Sequence, residues 1–168
     1  MLDIPLMRRL FAALNKELAD KDIVGEIGLC GGAAMCLAFQ ARRATKDIDA
    51  IFAPSGEIRK AARRVAKEFG LPEDWLNDAA KGYFLTDPPR QDVLELSHLR
   101  IWAPKADYML VMKCLAGRAD TQDTDDIKFL LKYLNIKASP KVFSLIARYC
   151  PHARVPAKTK FLVEEILG

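Results

Sequence analysis

A pair of glycines, Gly31 and Gly32, interrupts the chain where one apolar run gives way to another. Ahead of it, Ile23 to Leu29 is short and apolar, which predicts a strand. Behind it, a segment from about Gly32 to Gln40 has almost no polar side chain, which predicts a buried helix. Two residues without Cβ make a tight strand-to-helix connection possible, and the segment behind them has little polar character. A basic loop over 41–46 follows, and Asp47 to Phe52 then alternates polar and apolar with period two until Pro54 ends it.

The other elements fall around this centre. Asp3 or Ile4 can cap a first helix, with Pro5 in its opening turn and Met7, Leu10, Phe11, Leu14 and Leu18 along one face. Ser55 reads as the N-cap of a helix that runs to Phe69 and stops at Gly70, with Ile58, Ala61, Ala62, Val65 and Phe69 inward. Short strands are expected at Gly82–Leu85, Asp92–Leu96 and Leu99–Trp102. Beyond Pro104 the pattern is helical throughout: Lys105–Ala116, Thr124–Leu134, Pro140–Cys150 and Ala157–Leu167. Early alternation and a late run of helices predict an α+β fold: a small mixed sheet flanked by helices over 1–103, with a C-terminal helical cap over 104–168 packed on it.

Composition narrows the class. The chain has 168 residues, 51% hydrophobic and 29% charged, which suits a packed core of one domain with a helical appendage. Its longest apolar runs, such as Tyr108 to Met112, are too short to span a bilayer, and the first residues lack the order of a signal peptide. A cytoplasmic location, away from membranes, is the expectation. Cys30, Cys36, Cys114 and Cys150 form no C-x-x-C pair and have no histidine cluster beside them, so buried thiols are expected rather than zinc ligands or disulfides. The net charge of +4 permits contact with nucleotides or nucleic acid without requiring it.

Chemistry concentrates around the glycines. On a strand, Asp47 and Asp49 would share a face with Cα atoms about 6.6 Å apart. Two such carboxylates repel unless a cation lies between them or one is protonated, and Mg²⁺ suits one or two carboxylates plus substrate phosphates. A D-x-D pair on a solvated edge strand is the plain alternative. The glycine pair would let a phosphate approach backbone N–H groups, or would simply allow close packing of strand and helix. Lys113 lies among Met109, Leu110 and Ala116, so its ammonium must reach water, a phosphate or an acidic partner. Asp123 or Thr124 can cap the helix containing Ile127, Leu130 and Leu131. In a functional reading, Arg118 and Asp126 would stand beside Lys113. Arg59, Lys60, Arg63, Arg64 and Lys67 form a basic helix face, a solvated surface or an RNA-backbone contact. His98 and His152 are isolated from each other and from the glycines.

The runs Leu29-Cys30-Gly31-Gly32-Ala33-Ala34 and Arg43-Ala44-Thr45-Lys46-Asp47-Ile48-Asp49-Ala50 together resemble the signature of the polymerase-β-like nucleotidyltransferase superfamily. Asp74-Trp75-Leu76-Asn77-Asp78 and the segment from Tyr108 to Ile127 are similar to its small bacterial branch of abortive-infection-type toxins and their relatives. The resemblance covers roughly Gly28 to Leu134. It implies an enzyme that transfers a nucleoside monophosphate from an NTP to an acceptor hydroxyl of tRNA, other RNA or protein. The implied cofactor is Mg²⁺ or Mn²⁺ on Asp47 and Asp49. Gly31, Gly32, Arg43, Thr45, Lys113, Arg118 and Asp126 would bind nucleotide. Many superfamily members have Gly-Ser where this chain has Gly31-Gly32. A third carboxylate is usual, and Glu95 is the candidate, ahead of Asp92 and Asp78. A toxin–antitoxin or phage-defence setting would add a cognate antitoxin protein as partner. The alternative is a non-catalytic nucleotide- or RNA-binding module with a degenerate site.

Overall fold

The computed structural model describes residues 1–84, 87–116 and 121–168, which fall into two compact units. The first comprises Met1–Gly82 and Arg90–Pro104; the second comprises Tyr83–Pro89 and Lys105–Gly168. Among the described residues there are seven α-helices, a mixed five-stranded sheet and a two-stranded sheet, an α+β architecture.

In the first unit, β1 (Leu2–Asp3) leads into α1 (Ile4–Asp20), and Asp3 Oδ1 accepts the Leu6 N–H at 2.8 Å. Pro5 costs nothing there, because the first-turn amides have no partner within the helix. Met7, Leu10, Phe11, Leu14 and Leu18 recur at helical spacing and all are buried. Each contributes roughly 1.5–3 kcal/mol by leaving water. The chain then forms β2 (Gly25–Leu29), α2 (Gly31–Leu37), β3 (Ala44–Thr45), β4 (Ile48–Ala53) and α3 (Ser55–Phe69). After α3 come β5 (Leu76–Asn77), β6 (Arg90–Glu95) and β7 (Leu99–Pro104). The sheet order is β5-β4-β2-β7-β6, with β1 and β3 pairing separately. β2 runs antiparallel to β4 and parallel to β7.

Several expected boundaries move. The buried helix ends at Leu37, and Gln40 takes a positive φ of 54°. Part of the basic loop, Ala44–Thr45, pairs with Leu2–Asp3. Asp47 lies one residue before β4. Ser55 is the first helical residue rather than the cap, a position held by Pro54, whose carbonyl accepts the Ile58 N–H. At 82–85 there is no strand among the described residues: Lys81–Tyr83 is a 3₁₀ turn, and Leu85 lies outside them.

Trp102 lies flat on Gly28, its partner across the β2–β7 ladder, with the Arg90 guanidinium 4.0 Å from its ring centre on the other side. A Cβ built on Gly28 would sit 2.2 Å from the indole Cζ2, so even one methyl cannot enter. Gly28→Ala is therefore expected to cost about 2 kcal/mol through overpacking and to lower Tm by about 5–8 °C, readable in a thermal melt.

In the second unit, α4 (Ala106–Ala116) packs against α5 (Thr121–Tyr133), α6 (Ser139–Tyr149) and α7 (Ala157–Leu167). Its core is Tyr108, Met109, Leu110 and Val111 with Ile127, Leu130, Val142, Ile146 and Val163. Thr159 Oγ1 donates to the Cys114 carbonyl at 2.7 Å, tying α7 to α4. All four cysteines are buried thiols without disulfides. No described helix is long and apolar enough to cross a membrane.

Candidate functional site

The site is built by register. Leu29 faces Ala50 across the antiparallel β2–β4 ladder, so the residue just after β2, Cys30, meets Asp49 and donates its N–H to the Asp49 carbonyl at 3.0 Å. The chain turns immediately afterwards. Gly31 adopts φ +58°, a left-handed conformation that L side chains rarely take. A Cβ there would lie 3.2 Å from Asp49 Oδ2. The glycine turn and the Asp49 carboxylate, 18 positions apart in the chain, thus lie side by side.

Asp47 completes the pair from the residue preceding β4, where Ile48 donates its N–H to the Trp75 carbonyl at 2.7 Å. Its carboxyl is pushed above the ordinary aspartate range. Burial is the largest cause and the charge of Asp49 the next; Lys46 opposes them, Asp74 adds to them, and its own backbone amide opposes. A carboxyl crowded by the charges of two others favours a cation beside it.

A family model matches residues 6–138, which include the glycine turn, both aspartates and Lys113. Its description is "Nucleotidyltransferase of unknown function (DUF6036)". The chain belongs to this family. No curated protein and no solved structure matches it.

Within this family member, the sheet does not bring Glu95 to the aspartates. Glu95 faces Arg100, which faces Glu26, which faces Ala53. That row lies four residues along β4 from Asp49 and three strands across, a separation of roughly 19 Å at ordinary strand spacing. Glu95 is exposed and lies 3.6 Å from Arg100. Asp92, in the row of Trp102 and Gly28, is also three strands away. Asp78 is ion-paired with Arg59 and, at 3.9 Å, with Lys81. The carboxylate whose charge does reach Asp47 is Asp74, exposed in the turn before β5. Sequence reasoning passed over it, because the two-residue parallel pairing that brings it close leaves no periodic signal.

The loop before β4 also differs in detail. Arg43 is exposed, whereas an Arg42 guanidinium nitrogen comes within 3.0 Å of the position a Cβ on Gly32 would take. Thr45 is buried, 7% exposed, against the same glycine. In the second unit, Lys113 has acidic partners: Asp123 Oδ1 at 2.8 Å and Asp126 Oδ2 at 2.9 Å. The helix carrying them begins at Thr121, so Asp123 sits inside its first turn. Arg118 lies outside the described residues. The basic face of α3 is laced with carboxylates, including Glu57 near Lys60 and Glu17 near Arg64, as a solvated surface would be.

The residues fit a divalent cation that arrives with a substrate. Among the described residues no group of three or more His, Cys, Asp or Glu is placed to hold a metal alone. Two carboxylates are, however, the number Mg²⁺ takes when phosphates supply further oxygens. The raised pKa of Asp47 has a testable sign. Its folded-state value lies above the unfolded one, so its contribution to stability is full below the unfolded pKa and is lost as pH rises through the folded pKa. In chelator at neutral pH, Asp47→Asn is expected to melt at or slightly above the wild type, with the gap closing on acidification past the ordinary aspartate range. An Asn variant that melts below wild type at neutral pH would contradict this. With Mg²⁺ present, protons compete for Asp47, so metal affinity should begin to weaken at a higher pH than for an unperturbed aspartate.

Proposed function

We propose that this protein is a Mg²⁺-dependent nucleotidyltransferase that moves a nucleoside monophosphate from an NTP to an acceptor hydroxyl. The observation that carries the reading is the contact between the Gly31 turn and Asp49, with Asp47 beside it, in a chain of nucleotidyltransferase family. When bound, the metal would neutralise charge on the triphosphate during attack at the α-phosphorus. The chain's own contribution is positional. The turn at Gly31 and Gly32 holds phosphate oxygens where no Cβ intervenes, and Asp47 and Asp49 fix the cation beside them. Thr45 and Arg43 belong to the nucleotide-binding set by resemblance, as do Lys113, Arg118 and Asp126. Of these, Lys113 already has two carboxylate partners, which favours a structural part for it.

Label transfer from α-labelled NTPs to pooled tRNA, total RNA and protein tests the reading. Transfer that needs Mg²⁺ and both aspartates supports it. Folded wild type that binds Mg²⁺–NTP yet labels no acceptor favours the second reading, a nucleotide-binding module with a decayed site. That reading draws on Asp47 and Asp49 having no third carboxylate grouped with them among the described residues. By resemblance to abortive-infection-type relatives, the setting would be a toxin–antitoxin or phage-defence pair acting on tRNA or protein. Growth arrest on expression, relieved by Asp49→Ala, would support that setting.

A further inference from the structure

The glycine turn has a second wall. A Cβ built on Gly32 would stand 2.4 Å from Thr45 Oγ1, 3.1 Å from Thr45 Cβ and 3.0 Å from Arg42 Nη1. A hydroxyl and a guanidinium therefore occupy the space that any side chain at position 32 would claim. Gly32 does not have the positive φ of Gly31, so the close approach of these two groups is what excludes a Cβ there. Thr45 is more than nine-tenths buried, yet its hydroxyl has no hydrogen-bond partner among the described residues. Every described side-chain nitrogen or oxygen that is sealed from solvent does have one. The Thr45 hydroxyl is therefore not wholly sealed from solvent. Valine would fill the same volume without the cost of a buried, unpaired hydroxyl. The hydroxyl makes sense as a donor kept for something that enters.

We infer that Arg42 and Thr45 form a pocket for a phosphate oxygen at Gly32. Thr45 Oγ1 donates one hydrogen bond, and Arg42 supplies positive charge and directional N–H donors. The inference rests on the reading of this turn as a nucleotide site, and it assigns a residue, Arg42, that the resemblance does not mark. What is recognised is the phosphate chain rather than the base. The four Mg²⁺–NTPs and Mg²⁺–tripolyphosphate, which has no base, should therefore depend on the pair alike.

Calorimetric titration of the full chain with those five probes tests this. Wild type is expected to bind tripolyphosphate. Thr45→Val should weaken every probe about tenfold, the loss expected for one hydrogen bond to a charged group. Arg42→Gln should weaken them at least as much. Gly32→Ser should also weaken binding, by colliding with Thr45. Gly32→Ser combined with Thr45→Ala should return to within about threefold of wild type, because the serine hydroxyl enters the vacated space. Thr45→Val preserves shape, and its circular dichroism and melt confirm folding even if Gly32→Ser misfolds. Wild-type affinity in folded Thr45→Val and Arg42→Gln overturns the pocket while leaving the turn a nucleotide site. A wild type that binds none of the five probes overturns both.

Discussion

Asp49→Asn is expected to lower Mg²⁺-dependent transfer from an α-labelled NTP at least about a thousandfold while leaving the melting temperature nearly unchanged. The substitution keeps the side chain's size and removes its charge at the point of contact with the Gly31 turn. Because Asp49 also anchors that turn through its backbone carbonyl, which Asn retains, the geometry should survive and only the electrostatics should fail. Glu95→Gln is the matched control. It also removes one carboxylate from the same sheet, but roughly 19 Å away by strand spacing, and it should keep wild-type transfer. A residual activity above a tenth of wild type in Asp49→Asn would remove this residue from the site. Equal losses in both variants would point to general charge effects instead.

Lys113→Met should have the largest effect on stability. The ammonium bridges Asp123 and Asp126, on side chains only 10%, 11% and 3% exposed. Removing it strands two carboxylates in a poorly solvated place, at an expected cost of about 3–5 kcal/mol and about 10 °C or more in Tm. Replacing the aspartates as well, with Asp123→Asn and Asp126→Asn, should recover part of the loss, since two poorly solvated negative charges would be gone. Chemical denaturation of Lys113→Met, of the triple variant and of wild type measures each step. If Lys113→Met melts within about two degrees of wild type, the triad does not support the fold. A lysine reserved for a ligand's phosphates would behave in that way.

Much of the first unit was legible because its helices are amphipathic. The five-residue stripe of α1 and the inward residues Ile58, Ala61, Ala62 and Val65 of α3 are buried, as their 3.6-residue spacing implied, while Phe69 at the end of α3 is only half-buried. The glycine–aspartate contact was legible as an adjacency in the chain, but only the β2–β4 register made it a contact in space. What escaped was whatever depends on which strands become neighbours. Glu95 has the right chemistry on a correctly placed strand, yet two strands separate that strand from β4. Choosing between Arg42 and Arg43 was beyond any pattern, since adjacent residues in a loop differ only in where the backbone aims them. The Thr45 approach to Gly32 likewise follows from the pairing of Thr45 with Leu2, two residues each of β3 and β1, too short to announce itself.

The chain's two tryptophans, Trp75 and Trp102, both belong to the sheet-bearing unit, while the helical unit has tyrosines and none. Trp75 is held by its indole N–H on the Ala62 carbonyl, and its own carbonyl takes the Ile48 amide beside Asp47. Trp102 is clamped between bare backbone and a guanidinium. Intrinsic indole fluorescence is therefore a built-in label confined to one unit. A cation settling beside Asp47 changes the field one peptide away from Trp75, so titrations can be followed without a dye. Heating curves read by emission and by backbone dichroism will coincide only if the two units come apart together.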